Sequence, residues 1–155
     1  MTIFGNRLSL RKLKAMVGRE VSLSDWLVVT QERIDAFAAA TEDRQWIHVD
    51  PERAARSPLG GTVAHGFLLL SLVPYFNSSN EIFKGRFRMA VNYGLDCVRF
   101  PHAVRAGSRI RNRAVLKKIE KRGFRKVLVT IENTIEIEGA AKPAMVAEVL
   151  GLIYL

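Results

Sequence analysis

Between Arg56 and Glu81 the chain carries no aspartate, glutamate, lysine or arginine. At the centre of this stretch, Phe67-Leu68-Leu69-Leu70-Ser71-Leu72-Val73 leaves no polar face at helical spacing, so a helix here must be surrounded by other structure. The whole stretch is nominally long enough to cross a bilayer. Pro58, Gly60, Gly61, His65, Pro74 and the polar Asn77-Ser78-Ser79-Asn80 interrupt it, however, and the continuous apolar run is too short to span. The spacing therefore predicts a buried helix that begins near Ala64 to Gly66 and runs to about Pro74.

At 155 residues, 48% apolar and 25% charged, the chain has the composition of one globular domain over residues 1–155, with no repeat, low-complexity tract or linker. Leu10, Leu13 and Val17 fall at helical spacing in a basic segment that lacks the apolar core of a secretory signal, which reads as a short amphipathic helix. Val21 to Val29 reads as extended. Thr30 can cap a helix carrying Ile34, Phe37 and Ala38 on one stripe and ending near Thr41, because Asp43 through Pro51 is too irregular to continue it. Further on the period changes to two. Val127, Val129, Ile131, Ile135 and Ile137 alternate with Leu128, Thr130, Glu132, Thr134, Glu136 and Glu138, predicting a strand with one buried and one wet face. Gly123 turns into it from a strand over Arg109 to Leu116, and Ala144 to Tyr154, apolar on both faces, reads as a central strand. The expected class is α+β, helices first and an antiparallel sheet after.

The net charge is +9, and it is local: residues 84–126 hold 14 Lys and Arg against Asp96 and Glu120, a balance of +12. That surface favours an anionic partner without naming one. The basic residues follow no helix-turn-helix or zinc-module pattern, so no specific nucleic-acid partner is expected. One cysteine, Cys97, allows neither an internal disulfide nor a multi-thiolate metal site, and a reducing, cytoplasmic setting is the default.

The familiar nucleophile-elbow, dinucleotide, phosphate-loop and paired-cysteine signatures are absent, which removes most support for serine-nucleophile, redox and nucleotide-hydrolysing chemistry. Two constellations remain. Asp43 and His48 stand five residues apart, an offset of about 140° on a helix and of opposite faces on a strand. They converge only if the segment bends as a loop. A convergent pair can hold a water, the imidazole taking a proton and the carboxylate orienting or returning one; otherwise they are a surface carboxylate and a histidine satisfying loop backbone. The second constellation is Gly60-Gly61-Thr62-Val63-Ala64-His65-Gly66, which leads into the buried helix. Its first N–H groups lack internal partners, and Gly66 is the place for a carbonyl to approach the backbone, unless the glycines serve only turn and packing.

Taken together, Asp43-Arg44-Gln45-Trp46-Ile47-His48-Val49-Asp50-Pro51, Ala64-His65-Gly66-Phe67 and Asn92-Tyr93-Gly94-Leu95-Asp96-Cys97-Val98-Arg99-Phe100-Pro101 resemble the MaoC-like dehydratase family, and within it the NodN-like branch of (R)-specific enoyl-CoA hydratases. The resemblance runs from about Trp26 to the C-terminus. It implies a hot-dog fold, a curved antiparallel sheet wrapped around a central helix, and a homodimer. It also implies hydration of a trans-2-enoyl thioester to the (R)-3-hydroxyacyl thioester, with coenzyme A present only as part of the substrate and no metal or redox cofactor. By position Asp43 and His48 match the catalytic pair and Gly66 the oxyanion-binding glycine; Gln45, Ala64, His65, Asn92, Tyr93 and Gly94 fall in the matched motifs as candidate substrate-binding residues. Acyl carrier protein is a second candidate carrier for the basic surface, with Arg109, Arg111 and Arg113 as phosphate candidates or an ordinary solvated edge.

Two departures from the family pattern stand out. Glu42 replaces a small residue before Asp43 and sets a second carboxylate beside it, and Gln45 takes an asparagine's place, as is typical of the NodN-like branch. A serine of the central helix is replaced by Pro74, with Ser71 one turn earlier. The competing readings are a hot-dog acyl-CoA thioesterase and a non-catalytic acyl-CoA-binding protein.

Overall fold

A computed structural model of the protein describes residues 10–79, 82 and 87–155. In chain order it contains α1 (Leu10–Ala15), β1 (Glu20–Leu23), β2 (Leu27–Val28), α2 (Gln31–Thr41), α3 (Trp46–Val49), α4 (Pro51–Ala55), α5 (Gly66–Ser71), α6 (Val73–Phe76), β3 (Met89–Arg99), β4 (Arg109–Lys121), β5 (Lys126–Ile137) and β6 (Met145–Tyr154). The strands form one antiparallel sheet in the order β1-β4-β5-β6-β3, with β2 also paired to β4. The extended segment expected over Val21 to Val29 is two strands. Ser24 bridges the break, its N–H donating to the Asn112 carbonyl at 2.9 Å and its hydroxyl accepting from the Asn112 N–H at 2.9 Å.

Helices α5 and α6 lie on the inner face of the sheet, the hot-dog arrangement that the resemblance implies. Leu68, Leu69, Leu72, Val73 and Phe76 pack on Ile110, Ile135, Met145 and Ala147. The expected single helix is two short ones and extends to Phe76: Pro74 sits in the first turn of α6, where its missing N–H costs nothing. The helix is not enclosed as its sequence demands. Phe67 is 68% and Tyr75 62% exposed. The uncovered surface includes β3, the sheet edge, exposed from Met89 to Cys97 and irregular at two places in its register with β6, between Asn92 and Gly94 and between Leu95 and Cys97.

The alternation expected in β5 sets in only from Glu132. Val127 to Ile131 are all buried, because β5 is paired on both sides and the outward Leu128 and Thr130 stand beside Leu152 and Leu150 of β6 and Glu120 and Lys118 of β4. On the inner face Asn133 occupies the position between Ile131 and Ile135. Its Oδ1 accepts from Asn77 Nδ2 and Asn112 Nδ2, each at 2.9 Å, and its Nδ2 donates to the Ile131 carbonyl at 3.0 Å. This amide cluster divides the core. Toward α5 lies the cluster around Leu68 and Met145; beyond it Leu13 of α1 and Ile82 pack with Ala114, Leu116, Val127, Ile131 and Ile153.

Removing the shared acceptor takes the partner from the buried Asn77 Nδ2 and leaves Asn112 Nδ2 with only its 3.2 Å bond to Asn77 Oδ1. Asn133→Ala should lower the unfolding free energy by about 3 kcal/mol, measured by chemical denaturation.

Candidate active site

Helix α2 begins as its sequence predicts, Thr30 Oγ1 accepting from the Arg33 N–H at 3.3 Å, and buries Ile34 and Ala38. It ends at Thr41 because Glu42 turns the chain through a left-handed conformation, φ 62° and ψ 11°. That reversal is the usual way to end a helix, and glycine is the usual residue in it. The family preference for a small residue here thus has a backbone reason. The Glu42 carboxylate points away to Arg44 Nε at 3.3 Å with its side chain 78% exposed.

The segment after Asp43 is not the plain loop expected. Asp43, Arg44 and Gln45 are irregular, but Trp46–Val49 form one helical turn, and Asp50 caps α4 by accepting from the Arg53 N–H at 3.0 Å. Asp43 and His48 converge because a helix ends, the chain reverses and a second helix starts. That second turn is held to the segment before α5: Val63 N–H donates to the Ile47 carbonyl at 3.0 Å, and His48 Nδ1 lies 2.6 Å from the Val63 carbonyl. Gln31, which the sequence reading passed over, donates to the His48 carbonyl at 2.7 Å and accepts from the Thr62 hydroxyl. Nothing in its spacing marks it.

A carbonyl only accepts, so His48 carries its proton on Nδ1 and leaves Nε2 as a bare base. His48 is buried at 7% exposure. Burial lowers its pKa below the ordinary 6.5, helped by His65; the bond to Val63 and the nearby Asp43 pull the other way without cancelling it. His65, 3% exposed, stacks on His48 with ring centroids 3.6 Å apart and planes at 22°, and Phe37 packs 5.0 Å away from its ring. Its Nε2 lies 2.9 Å from the Asp43 carbonyl and 3.9 Å from Asp43 Oδ2.

A carboxylate oxygen of Asp43 and one ring nitrogen from each histidine lie within 4.8 Å of one another. Two hydrogen bonds of about 2.8 Å to a single tetrahedral water span this gap. The same three residues form a metal-ligand set in composition, but not in geometry. Stacked rings send their in-plane lone pairs side by side, not toward one point about 2 Å from both.

Gly66 opens α5, and its N–H has no acceptor among the described residues. A Cβ at this position would meet the Phe100 ring at 3.0 Å, so the glycine is required by packing. Phe100 thereby belongs to the site, a role its place in the Arg99-Phe100-Pro101 motif did not reveal. Asn92, Tyr93 and Gly94 line a cavity of about 710 Å³ between α5–α6 and the sheet, together with Leu70, Ser71 and Pro74; it starts about one helical turn beyond Gly66. Asp43, His48 and Gly66 stand outside it. Gln45 is exposed and makes no side-chain cap on α3. Ala64 is in the core, its N–H on the Val104 carbonyl at 2.7 Å.

The outward row of β4 is neutralised in place. Arg109 pairs with Glu138 at 2.7 Å, Arg111 with Glu136 at 2.7 Å, and Arg113 with Glu136 at 2.9 Å and with Glu20. Burial acts to raise the Glu136 pKa, but the bonds from Arg111 and Arg113 outweigh it and hold the carboxyl below its ordinary range. These arginines are a charged sheet face, not free phosphate ligands.

Comparison with known proteins identifies the family and the fold. Residues 12–139 match the MaoC like domain. The chain is 49% identical over 140 residues to 3-hydroxyacyl-thioester dehydratase Z of Mycobacterium tuberculosis, covering 90% of this chain and 92% of that protein. It is 46% identical to nodulation protein N of Rhizobium leguminosarum bv. viciae, covering 96% and 92%. In three dimensions it resembles the monoamine oxidase regulatory protein from Archaeoglobus fulgius, with a TM-score of 0.80, 22% identity and coverage of 96% and 95%.

Glu42→Gly removes the side-chain penalty of the left-handed turn. It should raise stability by about 1 kcal/mol, read as a shift in denaturation midpoint.

Proposed function

Because the chain belongs to the MaoC-like dehydratase family, we propose that it is an (R)-specific hydratase/dehydratase that adds water across a trans-2-enoyl thioester and removes it in reverse. The observation that carries the reading is the convergence of the Asp43 carboxylate and the His48 ring, a carboxylate oxygen and a ring nitrogen lying within 4.8 Å of each other, on an imidazole whose Nδ1 is taken up by the Val63 carbonyl and whose Nε2 is left to accept from a water. The water donates one hydrogen bond to His48 Nε2 and is oriented by Asp43. As its oxygen bonds to C3, His48 takes the proton, and the C2=C3 electron pair moves onto the thioester oxygen as an enolate. The Gly66 N–H stabilises that charge as it develops. The proton that His48 took is then passed to C2 with the help of Asp43, which restores the thioester carbonyl and returns the imidazole to its neutral form. One water is consumed and no electrons leave the substrate, so the chemistry calls for no redox cofactor, and the Gly66 N–H takes the part of polarising the carbonyl; coenzyme A enters as part of the substrate.

The acyl chain runs from Gly66 along α5 into the cavity lined by Asn92, Tyr93 and Gly94, whose apolar walls are Leu70, Val73, Leu95, Ile131 and Val149. Ser71 and Pro74, at the position where this chain departs from its family, both line it. For the carrier, coenzyme A or acyl carrier protein, Arg105 is the better phosphate candidate than the β4 arginines. Its guanidinium lies against Gly60, and it has no acidic partner among the described residues. The exposed β3 edge and the uncovered side of α5 support a homodimer formed there. No described helix is long and apolar enough to cross a membrane; with one free thiol at Cys97, a reducing cytoplasm is the compartment we assign.

Asp43→Asn and His48→Ala should each lower kcat for crotonyl-CoA hydration by at least about a hundredfold in a folded protein. Wild-type rates in both would end the assignment, and free thiol release from saturated acyl-CoA would identify hydrolysis instead. Because His48 must be neutral to act and its pKa is depressed, kcat/KM should hold its plateau below pH 6.5 and fall only as acid protonates the ring, as a pH–rate profile would record.

A further inference from the structure

His65 stands between the catalytic turn and the central helix without a task in the reaction. It is 3% exposed, and its Nδ1 is buried with no hydrogen-bond partner. A histidine that merely filled the core would be replaced by an apolar ring at a gain, since an unpartnered buried nitrogen is costly. Two contacts offset that cost. Its Nε2 reaches the Asp43 carbonyl at 2.9 Å, so by the rule that a carbonyl only accepts, the ring carries its proton on Nε2. Its face lies 3.6 Å from the face of His48. One ring therefore touches both members of the pair that holds the water, Asp43 through its backbone and His48 through its ring.

Nothing else ties down the backbone of Asp43 as directly. The residue follows the left-handed turn at Glu42 and precedes α3, and no backbone hydrogen bond of its own N–H or C=O to another backbone group is present among the described residues. Its side chain is 55% exposed. His48, in contrast, is fixed through Val63, Gln45 and Gln31. The acid partner is thus the loosely held member, and the His65 bond is what couples it to the rigid one.

Resting on the hydration reading above, we propose that His65 is a positioning residue: its Nε2–H bond to the Asp43 carbonyl and its stack on His48 set the carboxylate and the base at the separation of one water. It does not touch substrate and gives up no proton. Among the described residues the charged or titratable groups against this stack are Asp43 and the two rings themselves.

The two contacts can be removed separately. His65→Phe keeps a flat ring on His48 and loses the donor; His65→Gln loses the ring and keeps an amide N–H in reach of the Asp43 carbonyl. With crotonyl-CoA the Phe variant should lose on the order of tenfold to a hundredfold in kcat with little change in KM, since a displaced reacting group costs that much, while the Gln variant recovers most of the rate. A core-filling role predicts the reverse order, and a Phe variant as active as wild type would overturn the proposal.

A measurement on the unmodified protein decides the matter even if neither variant folds. Nitrogen-15 NMR of the histidine rings near neutral pH should show the Nδ1–H form for His48 and the opposite Nε2–H form for His65, with the exposed His102 as internal reference. A His65 ring whose Nε2 carries no proton, with Nδ1 protonated instead, overturns the clamp. The two readings also fail differently. Opposed tautomers in a protein that hydrates no enoyl thioester would reject the function and leave the clamp; an Asp43-dependent hydratase indifferent to His65→Phe would reject the clamp alone.

Discussion

A carbonyl oxygen has no proton to give, and two backbone carbonyls organise this site. Val63 dictates the protonation of His48, and Asp43 dictates that of His65. Each carbonyl is placed by chain geometry: Val63 by its pairing with Ile47 and its bridge to Arg105, Asp43 by the reversal at Glu42. The imidazole is thereby committed to one tautomer before substrate arrives. Without that commitment a buried histidine between an acid and another ring could serve as donor or acceptor, and a water between them would have no fixed orientation.

The sheet supplies the frame for this arrangement more than its substance. Strand β4 begins beside the segment that joins Val63 to Val104 and Arg105, and the antiparallel register of β4, β5 and β6 carries the helix that ends in the cavity. The pairing of Ala64 N–H with Val104 and Ala106 N–H with Thr62 anchors the start of α5 from the opposite side to α3. Gly66 consequently sits between the His65 ring, stacked on His48, and the ring of Phe100, and its N–H has no acceptor among the described residues.

Much of this was legible because it depends on local chemistry. The Thr30 cap, the end of α2 at Thr41, the hairpin at Gly123 and the outward row of Arg109, Arg111 and Arg113 follow from residue type and period alone. What escaped depends on who lies opposite. Helix α3 is a single turn without a side-chain cap on Gln45, so no start signal announces it. The neutralisation of the β4 arginines needs Glu136, Glu138 and Glu20 in register, and the close approach of Phe100 to Gly66 joins residues 34 positions apart. Asn133 falls in the gap of the apolar row between Ile131 and Ile135 and went unread, as did its partners Asn77 and Asn112, because a shared amide cluster has no spacing rule. The helix around Leu69 carries an apolar run that demands surrounding structure, and the exposed Phe67 and Tyr75 show where this chain alone does not supply it.

The two irregularities in β3 bear on what can be added to that edge. Each extra residue throws the outward-facing donors and acceptors out of step, so an arbitrary straight peptide would match only a few of them before losing phase. A sheet that must leave one side open for a specific companion gains selectivity this way: the edge is available, yet a poor template for uncontrolled growth into fibrils.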